Sequence, residues 1–574
     1  MNPKKIILGF ILILILSVMG FEEALRIQRG APPLESNLAD FKEGYEEIYE
    51  RFFKKIRLPA GKVVYKTQRD HAIEEVFSAD KIKGVKRIFI LGGSVAQPFG
   101  EGVGERNIKE LLENLIPGEK FEIIGCGVGG YDSYRVSLIH KEILSYDPDF
   151  IILLSGNNEY WDPVRVNLWT YKVNWLFRNL WIYRDSQEKF RAWVENRRIS
   201  RKPFKEKRLI NYENNLRKMI LWAKKRKIPM ILCALPANFR DCPPRGFPLW
   251  QDKQFFLAKN ALDKRKFEEA VKGFKQFISN HPEDAFGEYF LAQCYDNLGN
   301  YAQAQSHYLR ALDLDANPGD RCPPERNEVI RRLCAQEGSV LVDLEKTFIE
   351  AAPHGLVGNE FFADGCHWWR NYSVFEKVAR AIESCYKSRL KKPSAFLAKA
   401  RNKGDGYLDF SAITIKELKS RGLEKVVNMI FGLVSSNQEV CLVQERAISF
   451  LQIAYQWNQE LFESSAFFKS QMLNEFSTNQ WIQGWLPEDF EEKWPVIFSH
   501  TGEALRRLGM YVKAVEYFNK AIGLDSKLCF PYLGRGLAYY KMGQIDKAKR
   551  DFDEMAKRSC QQPLVGYYRE LLGI

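Results

Sequence analysis

Ser94 follows the apolar run Ile88-Phe89-Ile90-Leu91 and two glycines, Gly92 and Gly93. Three further short blocks follow it: a glycine cluster (Gly127, Gly129, Gly130), Gly156-Asn157-Asn158-Glu159, and Asp364-Gly365-Cys366-His367. A serine hydroxyl is a poor nucleophile unless a base takes its proton during attack. The negative oxygen that forms on the attacked carbonyl needs two or three donors aimed at one point, each worth roughly 3 kcal/mol. In chain order the blocks offer a nucleophile (Ser94), a backbone donor (Gly130), a side-chain donor (Asn158) and an acid–base pair (Asp364, His367). Ser94 N–H is a third donor. The chemistry they could do together is acyl transfer through a serine ester.

The base must come from seven histidines. His281, His307 and His500 fall in helical repeats, His71 precedes the first buried strand, and His140 sits in a helical pattern. Of His354 and His367, only His367 has an acid three residues before it. That offset lets Asp364 reach the far ring nitrogen and stabilise the imidazolium. The eleven cysteines are scattered without a Cys-x-x-Cys pair, so no metal cluster is expected. Cys242 and Cys322 each open a Cys-Pro-Pro and suggest two chain crossings at the base of an insertion. A disulfide between them would be allowed in an oxidising compartment, but unpaired buried thiols are the default.

Buried parallel strands are expected at Arg87–Leu91, Phe121–Ile124, Phe150–Leu154, Met230–Ala234 and Val340–Leu344, each a short apolar run. Helical patterns separate them at Glu105–Leu115, Ser133–Ser145, Leu168–Phe190, Leu209–Lys227 and Asn327–Gln336, with a last one at Val374–Arg389. This alternation predicts a doubly wound α/β sheet covered by helices on both faces. Ligands in such sheets bind beyond the carboxyl ends of the strands, where each chemical block falls. Residues 22–84 read as a stalk, with a helix over Leu38–Lys55 and a short strand near Val63–Tyr65.

Phe267, Ala270 and Phe274 recur as Tyr301, Ala304 and Tyr308, and Gly509, Ala514 and Phe518 recur as Gly543, Ala548 and Phe552, each 34 residues on. That period resembles the tetratricopeptide repeat. One pair, 250–318, interrupts the α/β domain, whose two parts are 85–249 and 319–390. A linker at 391–407 leads into a helical domain, 408–574, with the second pair at its end and degenerate repeat expected over Phe410–Phe476.

The four blocks resemble those of the SGNH (GDSL-type) hydrolase superfamily. Ser94 matches its nucleophile, Gly130 its second-block glycine, Asn158 the asparagine of Gly-x-Asn-Asp, and Asp364 and His367 its Asp-x-x-His. The resemblance covers roughly 85–390, apart from the inserted repeats. It implies a three-layer α/β/α sandwich and a Ser-His-Asp mechanism without metal or cofactor. Gly93, Gly125 and Glu159 stand where the family often has Asp, Asn and Asp, and Trp368 replaces the usual Pro. Gly-x-Ser-x-Gly is absent around Ser94, which weighs against an α/β-hydrolase.

Lys4 and Lys5 precede Ile6–Phe21, a run without charge. At about 24 Å this is slightly short of a bilayer core. An export signal is expected over residues 1–21: either a cleaved peptide or, preferred because Ala-x-Ala is missing, an uncleaved anchor. The positive-inside rule then puts the body outside the cytoplasm. The net charge of +13 concentrates in Arg191–Lys227, with 14 Lys/Arg against 3 Asp/Glu. A solvated helix and loop explains this most simply, and a surface facing anionic lipid or glycan comes next. Nucleic acid is not the expected partner, because no zinc finger or aromatic stacking motif accompanies the charge.

Anchor, hydrolase and repeats together are similar to a group of bacterial envelope proteins. The expectation is an extracytoplasmic, membrane-anchored esterase for an ester, such as an O-acetyl ester, of an envelope glycan or lipid, with a protein partner on the repeats. An O-acyltransferase using the same residues stays open, as does a repeat scaffold with an inactive hydrolase-like domain.

Overall fold

The computed structural model describes residues 50–59, 61–69, 72–99, 108–159, 202–246, 248–249, 252–315, 321–369, 372–389, 414–434, 444–478, 490–558, 566 and 573. The leader at 1–21, residues 38–49 of the expected stalk helix, His71, the helical pattern at 168–190 and the linker at 391–407 lie outside them.

Strands β1 (Phe53–Arg57), β2 (Val63–Thr67) and β3 (Val76–Ser78) form an antiparallel sheet. The strand expected near 63–65 is present, but residues 53–55, read as the end of a helix, belong to β1. The reason is tertiary. Glu142 accepts the backbone N–H groups of Phe52 at 2.6 Å and Phe53 at 3.1 Å. The ring of Phe53 packs edge-on against Phe77 at 5.0 Å and Tyr146 at 5.8 Å. Aromatic burial and a carboxylate from another element outweigh the weak local preference for helix.

The five apolar runs form parallel strands β4 (Val85–Gly92), β5 (Lys120–Gly127), β6 (Phe150–Leu154), β7 (Met230–Ala234) and β8 (Val340–Asp343), ordered β5-β4-β6-β7-β8. Alternate side chains enter opposite layers. Ile88, Ile90, Ile152, Leu154 and Ile231 pack with helices Ile108–Leu115, Leu344–Ala351 and Tyr372–Arg389. Phe89, Leu91, Ile151, Leu153 and Leu232 pack with helices Ser133–Ile143, Lys202–Lys225 and Pro324–Glu337. Both faces are covered, which is why these strands read as mainly apolar runs.

Helices Lys253–Asp263, Phe267–Asn280, Ala285–Asn297 and Tyr301–Leu314 form the insertion between β7 and β8. They cross where a small residue admits a neighbour: a Cβ on Gly287 would stand 2.9 Å from the Phe277 ring. The same device recurs near the C-terminus, where a Cβ on Gly534 would stand 2.2 Å from the Phe518 ring. Buried Arg321 ties the base of the insertion together, donating to the carbonyls of Asn238 at 3.3 Å and Cys242 at 2.5 Å and to Asp315 at 2.8 Å. Cys242 and Cys322 are buried thiols, with no disulfide between them.

Helices Ile415–Val434, Glu445–Trp457 and Ser465–Thr478 precede the second repeat pair at Trp494–Arg507, Tyr511–Leu524, Phe530–Lys541 and Ile545–Lys557. The core of this domain includes Cys242 of the α/β part. Ser449 Oγ donates to the Asp241 carbonyl at 2.9 Å, and Arg446 Nε to that of Pro243 at 3.1 Å. Among the described residues, no helix is long and apolar enough to cross a membrane.

Candidate active site

Ser94 is the first residue of a 3-10 turn, Ser94–Phe99, that leaves the end of β4. Glycines allow that turn to sit deep in the sheet. A Cβ on Gly92 would lie 2.1 Å from the Leu154 carbonyl oxygen, and one on Gly127 would lie 2.6 Å from the Gln97 nitrogen. β4, β5 and β6 thus end against one another, with the serine at their carboxyl edge.

His367 reaches this edge from a hairpin-like loop after β8. Phe362 bridges Trp368, and the Ala363 N–H donates to the His367 carbonyl at 2.8 Å. Asp364 shapes the tip: its Oδ1 accepts the backbone N–H of Cys366 at 2.9 Å and of His367 at 2.7 Å. Its Oδ2 is left to meet His367 Nδ1 at 2.6 Å, while His367 Nε2 stands 2.6 Å from Ser94 Oγ. Residues 273 apart in sequence are thereby joined in one hydrogen-bonded line. Burial works against a charge on Asp364, but the His367 imidazole and the two N–H donors outweigh it and hold the carboxyl well below its usual range.

Gly130, with φ +75°, lies in the turn between β5 and helix Ser133–Ile143. The next residue, Tyr131, accepts a hydrogen bond on its carbonyl from Asn158 Nδ2 at 3.2 Å. An amide carries two N–H bonds, so among the described residues one remains for a ligand. The same Nδ2 lies 2.6 Å from where a Cβ of Gly93 would be, which places the Asn158 amide beside the turn that carries Ser94. Absence of a side chain at 93 is what lets the three loops meet.

Glu159 anchors this block. It accepts the N–H of Ser133 at 2.8 Å and its hydroxyl at 2.7 Å. Burial pushes its carboxyl up, against the charge of Arg326 and these hydrogen bonds. Arg326 donates to the Gly156 carbonyl at 2.7 Å, and Tyr212 to that of Ser155 at 2.8 Å.

Four supporting residues went unread in the sequence. Asn238, just beyond β7, donates from Nδ2 to the Asp364 carbonyl and to Asn359 Oδ1, both at 3.0 Å. Asp241 accepts the Asn359 N–H at 2.9 Å. Buried Lys425, from helix Ile415–Val434, donates to Asn359 Oδ1. A polar residue closing the apolar stretch that β7 begins was a usable signal for Asn238; Lys425 carries none, since one lysine in an amphipathic helix reads as surface. Asp364, Cys366 and His367 present donor atoms within 4.8 Å of one another, a set that could hold a cation, although Asp364 already engages the ring nitrogen on that side.

Tetratricopeptide-repeat family models match residues 257–321, 500–528 and 532–559. A repeat-containing protein of Methanocaldococcus jannaschii is 31% identical over 65 residues, 11% of this chain and 12% of that relative. The chain thus spans about an eighth of the curated relative it matches. Among solved structures, an acetyl xylan esterase is 15% identical, with a TM-score of 0.26 over 52% of this chain and 98% of that one. An acetylxylan esterase from Geobacillus stearothermophilus is 12% identical, with a TM-score of 0.26, 52% and 92% being covered. A GDSL-like lipase from Bacteroides thetaiotaomicron is 11% identical, with a TM-score of 0.24, 53% and 89% being covered. The chain therefore joins an α/β domain with a parallel five-stranded sheet to helical tetratricopeptide repeats.

Proposed function

We propose that the protein is an SGNH-type serine esterase. The observation that carries this reading is the line Asp364–His367–Ser94, with both links at 2.6 Å. Ser94 Oγ attacks an ester carbonyl while its proton passes to His367 Nε2. Asp364 holds the ring by Nδ1 and stabilises the imidazolium. The N–H groups of Ser94 and Gly130 and the free N–H of Asn158 bind the oxyanion. The C–O bond to the leaving alcohol breaks as His367 returns the proton, leaving Ser94 acylated. Water, deprotonated by His367, attacks the acyl carbon, the bond to Ser94 Oγ breaks as His367 returns the proton to that oxygen, and the acid departs. An O-acyltransferase follows the same course with a sugar hydroxyl in place of water.

The substrate class proposed is an ester, such as an O-acetyl ester, of an envelope glycan or lipid, and the place proposed is the outer side of a membrane to which residues 1–21 anchor the chain. The uncharged run after Lys4 and Lys5 supports the location, and the basic stretch Arg191–Lys227 supports an anionic surface. A protein partner on the repeats accords with the family-model matches.

The test is hydrolysis of a chromogenic acetyl ester together with labelling by a serine-reactive phosphonate and peptide mapping. Expected are a label on Ser94 and loss of hydrolysis in Ser94→Ala with an unchanged circular dichroism spectrum. Equal rates in wild type and Ser94→Ala, with no label at that serine, reject the enzyme in favour of a scaffold.

A further inference from the structure

The helical C-terminal domain does not merely follow the α/β domain; it touches the loop that carries His367. Asn428 Nδ2, on helix Ile415–Val434, donates to the Ala363 carbonyl at 3.4 Å. The Arg421 guanidinium sits 4.7 Å over the Trp369 ring, so the helix grips the loop at both ends. Between these contacts Lys425 is fully buried, with Nζ 4.6 Å over the Phe450 ring and 5.8 Å over that of Trp369.

A buried ammonium is costly unless it is hydrogen-bonded and its charge is compensated. Its hydrogen-bond acceptor is Asn359 Oδ1, which also takes the Asn238 Nδ2 donor at 3.0 Å. That Nδ2 in turn donates to the Asp364 carbonyl at 3.0 Å, and the Asn238 N–H donates to the Gly365 carbonyl at 2.9 Å. Asn359 itself is pinned, its N–H by Asp241 at 2.9 Å and its carbonyl by Trp369 Nε1 at 2.9 Å. The relay therefore runs from the repeat-bearing domain through two asparagines to the backbone of the acid residue.

We propose that Lys425 is a positioning residue for the Asp364–His367 loop, which makes the C-terminal helical domain part of the esterase centre. The inference rests on the esterase reading above. Lys425 also acts through its charge. Burial depresses its ammonium to about 8, against the pull of Asp364, Cys242, Asp241 and Glu424. Of these, Glu424 also faces His367 and Arg421, and Asp241 lies beside Glu360 and Arg240. All of these remain when Lys425 alone is changed. Below that pH a positive charge beside Asp364 weakens the carboxylate's hold on a protonated His367. Removing it favours the imidazolium, so the acid limb of the rate profile must move to higher pH.

The experiment compares full-length wild type, Lys425→Met, Lys419→Ala and Ser94→Ala on a chromogenic acetyl ester across pH. Lys419, on the same helix, is a half-exposed partner of Glu460 and serves as the control. Expected for Lys425→Met is a fall in kcat on the order of 10- to 100-fold, the cost of loosening reacting groups by a fraction of an ångström. KM should change little, the acid limb of kcat/KM should move upward, and Lys419→Ala should match wild type. Should Lys425→Met not fold, Lys425→Gln keeps a donor toward Asn359 without the charge, and the upward shift of the limb is then the readout. Wild-type kcat and an unmoved limb in the Lys425 variants, with Ser94→Ala inactive, overturn the positioning role alone. An equal fall in Lys419→Ala also overturns it, as a general loss of helix. Equal rates in wild type and Ser94→Ala overturn the esterase reading and the inference with it.

Discussion

Glu159 holds Ser133 twice, through its backbone N–H at 2.8 Å and its hydroxyl at 2.7 Å, and so locks the end of β6 to the first turn of the helix after β5. Asn158, one residue earlier, inherits its position from that clamp. Truncating the acid leaves two buried donors and the charge of Arg326 without it. Glu159→Ala should cost about 3 kcal/mol of stability in urea unfolding and lower kcat by at least about tenfold as Asn158 drifts. Glu159→Gln keeps an acceptor for Ser133 and should lose less of both. A Glu159→Ala protein as stable and as active as wild type contradicts the clamp.

Gly92 and Gly93 should respond differently to a side chain. At 92 the new Cβ meets a backbone carbonyl, at 2.1 Å from Leu154, and nothing nearby can yield. At 93 it meets the end of the Asn158 side chain, at 2.6 Å from Nδ2, which can turn aside. Gly92→Ala should therefore yield little folded protein. Gly93→Asp should fold but lose about 100-fold in kcat, the cost of losing the oxyanion donor proposed at Asn158. Thermal melts and esterase assays on the two proteins separate the cases.

His140 is buried against Trp222, with ring centroids 6.1 Å apart, and neither ring nitrogen has a hydrogen-bond partner among the described residues. Burial lowers it from 6.5 to about 3. The unfolded chain thus binds a proton at higher pH than the folded one. The stability His140 contributes is whole above pH 6.5 and is lost progressively as pH falls toward 3. His140→Phe should flatten that acid-side decline in urea midpoints measured between pH 7 and pH 4, and an unchanged slope rules the explanation out.

Arg321 and Asp315, both nearly inaccessible, pair at 2.8 Å at the base of the inserted repeats. Removing Arg321 takes its buried countercharge from Asp315, which keeps the Arg245 N–H at 3.1 Å and the Arg446 guanidinium at 3.8 Å. Arg321→Met should cost about 3–5 kcal/mol and loosen the insertion, seen as faster amide exchange in helices Lys253–Asp263 and Tyr301–Leu314. Exchange unchanged there would show that the insertion stands on its own core.

Strands, repeats and the acid–base pair were legible because each is written in local pattern. β4 to β8 are short, mainly apolar runs, β4 and β5 closed by Gly92 and Gly127, the repeats have a fixed period, and Asp364 lies within reach of His367 by spacing alone. Glu159 was visible only as a variant of the aspartate expected at its place; its grip on Ser133 was not, because the two follow different strands. β1 was misread for a similar reason, since Phe53 takes its conformation from Phe77 and Tyr146.

From composition and order alone, the chain determined which residue types are available for ester chemistry and on which elements they ride, because hydrophobic periodicity sets secondary structure and glycine sets the turns. Tertiary structure decided which of them meet: the 2.6 Å approach of His367 to Ser94, the amide of Asn158 beside Gly93, and the lysine from a second domain under Asp364. Such contacts join segments whose separation carries no periodic signal, and they exist only once the cores on both faces of the sheet have packed.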